Sequence, residues 1–72
     1  MTLRIDVNDE QLLDDLMAAL ARHGCLTSRA GPATLRVVCP RARDAREAQL
    51  EVGFFVRAWQ ARHPDVEAVL SP

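Results

Sequence analysis

Apolar and polar residues alternate from Thr2 to Val7, with Leu3, Ile5 and Val7 on one side and Arg4 and Asp6 on the other. A period of two is the mark of a strand with one buried face. The period then changes. Leu12, Leu13, Leu16, Met17 and Leu20 recur at spacings of three and four and form one stripe of an amphipathic helix. Asn8 is the expected N-cap, with Gln11 in capping-box position, Asp9 and Glu10 at the positive helix end, and Gly24 as the stop. Cys25 to Cys39 reads as two short strands about Gly31-Pro32, where glycine supplies a positive φ and proline lacks a donor. The first arm, Leu26 to Arg29, is polar and suits a sheet edge, and Thr34 to Cys39 is strongly β-forming.

After Pro40, Asp44 and Glu47 form a second candidate capping box. Apolar residues then recur through Ala45, Ala48, Val52, Phe55, Val56 and Trp59 until His63-Pro64, which makes this helix the longest element. Asp65 to Leu70 closes the chain as a short strand with Val66, Ala68 and Leu70 on one side. The order β-α-β-β-α-β resembles the ferredoxin-like arrangement, an α+β two-layer sandwich with two helices on one face of a four-stranded antiparallel sheet. The resemblance covers the whole chain and rests on element order. A fold that hosts so many activities implies none of them.

Families sharing this order differ in their signatures. An RNA-recognition motif stacks bases on aromatics of the central strands, but Leu3-Arg4-Ile5-Asp6-Val7 and Leu35-Arg36-Val37-Val38-Cys39 contain none. A heavy-metal-associated domain needs MxCxxC after the first strand; Val7-Asn8-Asp9-Glu10 stands there instead. The same stretch lacks the glycine of an ACT-like ligand site, and its acidic residues repel the anion that an acylphosphatase-like loop would cradle.

Composition narrows the picture further. The 72 residues allow one domain, 1–72. A chain of this size buries only about 60% of the surface it exposes when unfolded, so support from a partner subunit is expected. Nine basic residues, all arginine, against ten acidic ones give a net charge of −1. That balance supplies no general attraction to nucleic acid or to anionic membranes. No apolar run approaches the roughly 18 residues of a membrane span, and the N-terminus lacks a signal-peptide layout, so a cytoplasmic location is expected. Two cysteines are too few for a disulfide scaffold, and reduced thiols without a cofactor are the expectation.

Three constellations are candidates for function. Cys25 and Cys39 lie at the same end of the hairpin with His23 nearby, a candidate thiol or metal site in which the second helix, Arg41 and Arg43 would acidify Cys39. A register pairing residues whose numbers sum to 64 sets the cysteines face to face, and a two-residue Gly31-Pro32 loop sets them on opposite faces. The pattern is compatible with either, and with two buried thiols that merely pack. Arg4, Arg29 and Arg36 are expected on the open sheet face beside Asp6 and Glu67, either as cross-strand ion pairs or as an anion-binding face, and Arg41, Arg43 and Arg46 near the start of the second helix form a separate cluster that could contact phosphate at the helix N-terminus. His23 and His63 each close a helix, and neither has a triad partner at a characteristic spacing, so no enzyme is expected. The third constellation is a surplus. Leu50, Phe54 and Ala61 fall opposite the core stripe of the second helix, with Gly53 allowing close approach, and they are the candidate contact with a second copy or another protein.

Overall fold

A computed structural model describes residues 2–71. Its elements are β1 (Thr2–Val7), a 3₁₀ turn (Glu10–Leu12), α1 (Leu13–Arg22), β2 (Leu26–Gly31), β3 (Thr34–Val38), α2 (Ala45–Ala61) and β4 (Ala68–Ser71). The four strands form one antiparallel sheet in the order β2-β3-β1-β4, so the expected α+β class holds. Leu3, Ile5 and Val7 of β1 and Leu35 and Val37 of β3 face one way. On that face they meet Leu13, Leu16 and Leu20 of α1, Val52, Val56 and Trp59 of α2, and Val66 from the turn before β4. The period-two and period-3.6 stripes thus close on a single core.

Local chemistry departs from expectation at four places. Asn8 does not cap a helix. Its Oδ1 accepts from the Glu67 N–H at 2.8 Å, and its own N–H donates to the Glu67 carbonyl, which ties the end of β1 to the approach to β4. Asp9 is the cap instead, of the 3₁₀ turn, accepting from the Gln11 N–H at 3.0 Å. Gly31 has no positive φ; among the described residues Gly24 does, at 96°. The two turn residues are Pro32 and Ala33, between the pair Gly31↔Thr34. The last strand begins at Ala68 rather than Asp65, since Val66 is buried in the preceding turn, with its N–H donating to the His63 carbonyl.

Gly24 ends α1 as the sequence predicts. The Cys25 N–H reaches the Leu20 carbonyl and the Gly24 N–H reaches that of Ala21, the paired bonds of a Schellman cap that require a left-handed residue between them. Asp44 caps α2, accepting from the Glu47 N–H at 2.8 Å. The Glu47 carboxylate turns outward to Arg43, so the reciprocal half of the capping box is not used in that way.

Candidate functional site

The hairpin register decides the thiol question. Leu26↔Val38, Thr27↔Val37, Ser28↔Arg36 and Arg29↔Leu35 all sum to 64, and an irregularity between Arg29 and Gly31 absorbs one extra residue before the turn. One step beyond Leu26↔Val38, Cys25 and Cys39 therefore meet, with their Sγ atoms 3.5 Å apart. Both are buried, and burial together with the neighbouring thiol pushes Cys25 up to about 12. At neutral pH Cys25 is a protonated thiol.

His23 does not complete a metal set with them. Its Nε2 lies 3.4 Å from Glu51 Oε1 and its ring packs on Phe55, centroids 5.0 Å apart. Among the described residues no three metal-ligating side chains converge. The Arg41 guanidinium lies close to Gly24, 3.8 Å from where a Cβ would stand, beside the carbonyl end of α1. Arg22, His23 and Arg62 line a cleft of about 280 Å³ with Ala19 and Phe55.

The arginines divide between the two faces. Arg29 pairs with inward-facing Leu35 in the ladder, so it lies on the helix side, where its guanidinium binds Asp14 of α1 at 2.7 Å. This corrects its placement on the open face: the polar arm has no alternation of its own, and its face is set by β3. Arg43 is engaged by Glu47 at 3.0 Å, one helical turn away. On the open face Arg4 reaches Asp6 at 3.2 Å. The Thr34 hydroxyl donates to the same carboxylate oxygen at 2.7 Å, and with Arg4 it holds Asp6 below its ordinary value of 3.8. Arg36 stands directly across from Arg4, over a shallow depression of about 310 Å³ shared with Thr2, Ala30 and Thr34.

A further grouping joins α1 to α2. Trp59 is fully buried, and its indole N–H donates to Asp15 Oδ2 at 2.9 Å. His63 stacks on the Trp59 ring at 4.4 Å, donates from Nδ1 to the Trp59 carbonyl, and brings Nε2 to 3.8 Å from Asp15. The histidine thus does close the helix, as its position implies. The need of a buried indole for a partner is the signal that points to Asp15.

The outer side of α2 remains. Leu50 is 57% exposed and Phe54 70% exposed, and Ala61 is exposed farther along the same side. Gln49, Leu50, Gly53, Phe54 and Arg57 enclose a groove of about 180 Å³. Residue 53 adds no side chain to it, and a Cβ there would stand 3.8 Å from Leu70 Cδ2. A projecting aromatic ring therefore sits directly beside a notch. Among the described residues two other large apolar side chains are open, Leu26 on the edge strand β2 and Val69 on β4. No family model, curated protein or solved structure matches the chain. Among the described residues no helix is long and apolar enough to cross a membrane.

Proposed function

We propose that this chain is a small non-catalytic protein-interaction module that pairs with a second copy of itself through the outer face of α2. Its scaffold is read as a ferredoxin-like sandwich, an assignment supported by the order β2-β3-β1-β4, in which β3 divides β1 from β2 and β1 divides β3 from β4. The observation that carries the functional reading is the knob beside the notch, Phe54 next to Gly53. A two-fold interface must be self-complementary, and here the complement of the ring lies one residue away. Two antiparallel copies of α2 crossing at this point seat each Phe54 in the other copy's Gly53 notch. The same crossing lays each Leu50 along the aliphatic stem of the facing Arg57. A net charge of −1 does not oppose the association.

One helix crossing is small for a stable interface, so the dissociation constant is expected on the order of 10–100 µM. Phe54→Arg tests the proposal. The position is exposed, so the fold is retained, and the change removes about 2 kcal/mol of apolar burial from each side of a symmetric contact. Light scattering after size-exclusion chromatography is expected to show concentration-dependent dimer in the parent and at least about a hundredfold weaker association in the variant. A parent that stays monomeric up to about 1 mM, well above that range, overturns the proposal.

A further inference from the structure

We propose that Cys25 and Cys39 are a dithiol–disulfide couple, a modification site at which a small disulfide such as oxidised glutathione converts the two thiols into one intramolecular bridge. The geometry is that of a bridge not yet closed. The sulfurs are 3.5 Å apart, and a disulfide requires about 2.05 Å, so the two side chains together must move by about 1.5 Å. The backbone leaves room for that movement. The Cys25 N–H donates to the Leu20 carbonyl and the Cys39 carbonyl accepts from the Ala42 N–H. These two residues therefore exchange no ladder bonds at those groups, as in the close, non-hydrogen-bonded type of antiparallel pair, whose Cα spacing of about 4.5 Å falls within the disulfide range. The register that brings them together is fixed by four consecutive pairs of the hairpin.

The chemistry is thiol–disulfide exchange. One cysteine, as thiolate, attacks a sulfur of R–S–S–R, forming a mixed disulfide and expelling R–S⁻. The other cysteine then attacks the protein sulfur of that mixed disulfide, closes the Cys25–Cys39 bond and expels the second R–S⁻. Two protein thiols are oxidised and one R–S–S–R is reduced to two R–SH, which take up the two thiol protons. Both cysteines are buried, and Cys25 is pushed up to about 12, so exchange passes through opening of the hairpin end and is slow compared with an exposed thiol. The product pins the end of edge strand β2 to β3 and closes the loop between residues 25 and 39.

The test incubates the reduced protein with excess oxidised glutathione in sub-denaturing urea, which relieves the kinetic barrier of burial, and then quenches with acid. Expected are an intact mass lower by two hydrogens, no thiol left to alkylate in denaturant, and a Tm raised by at least about 4 °C. All three effects are expected to reverse with dithiothreitol. Cys39→Ser is expected to stop at the mixed disulfide and to gain no Tm. Two alkylatable thiols persisting in the parent, persistent glutathione adducts, or covalent dimers in place of the internal bridge each overturn the proposal.

Discussion

Gly53→Ala separates the stability of the fold from the contact proposed for its surface, because the two are expected to move in opposite directions. Gly53 is the ninth of the 17 residues of α2, deep enough in the helix for intrinsic propensity to act in full. Glycine in a helix interior is about 1 kcal/mol less favourable than alanine, because it loses more backbone freedom on folding. The new methyl meets Leu70 Cδ2 at 3.8 Å, ordinary van der Waals contact, so no strain offsets the gain. The variant is therefore expected to be more stable by about 1 kcal/mol, which for a domain this small raises Tm by about 4–8 °C. Urea melts at dilute protein, where monomer dominates, can be followed by the fluorescence of Trp59, buried in the core. The midpoint is expected to rise with the slope unchanged. The same methyl half-fills the notch that would receive Phe54, so self-association is expected to weaken at least about tenfold. A lower urea midpoint would refute the packing beneath Gly53; a stabilised variant that associates as well as the parent would refute the notch.

Other substitutions probe the fold itself. Leu16→Ala, at a fully buried position of α1, is expected to cost about 3 kcal/mol in chemical denaturation through the cavity it leaves. Asp44→Ala removes the acceptor for the Glu47 N–H and is expected to cost about 1 kcal/mol in the same assay. Asp6 titrates below its ordinary value first because the Thr34 hydroxyl binds its charged form, so its contribution to stability is present above 3.8 and is lost as the pH falls through its depressed folded value. Thr34→Val is expected to move the Asp6 carboxyl, followed by NMR titration, upward toward 3.8 and to weaken this acid dependence.

Where the chain carries its own period, the pattern was sufficient. Leu3, Ile5 and Val7 and the stripes of α1 and α2 read directly onto the core, because one-sided burial leaves an imprint in sequence. Gly24 was legible for a different reason, since a Schellman cap demands a residue that tolerates positive φ. The register of the hairpin was not. It depends on one extra residue between Arg29 and Gly31, and the polar β2 arm offers no alternation from which to infer it. Two consequences hung on that residue: the meeting of Cys25 with Cys39, and the turning of Arg29 toward Asp14. Asn8 departs from its expected capping role because a good helix cap is equally a good acceptor for any nearby N–H, and the one it serves lies at Glu67, far along the chain. Of the candidate contact, Leu50 and Phe54 are visible in the sequence as a second apolar stripe; the groove they share with Gln49, Gly53 and Arg57 exists only in the folded helix.

The self-association proposal is tested most directly by an isotope-filtered NOE experiment on a concentrated mixture of labelled and unlabelled protein, which detects only contacts between copies. The antiparallel crossing predicts cross-peaks from the Phe54 ring to the Gly53 α-protons of the other copy, accompanied by Leu50 to the Arg57 side chain. Intermolecular cross-peaks confined to Val69 and the open sheet face, or none at a concentration where Phe54→Arg and parent behave alike, would contradict it.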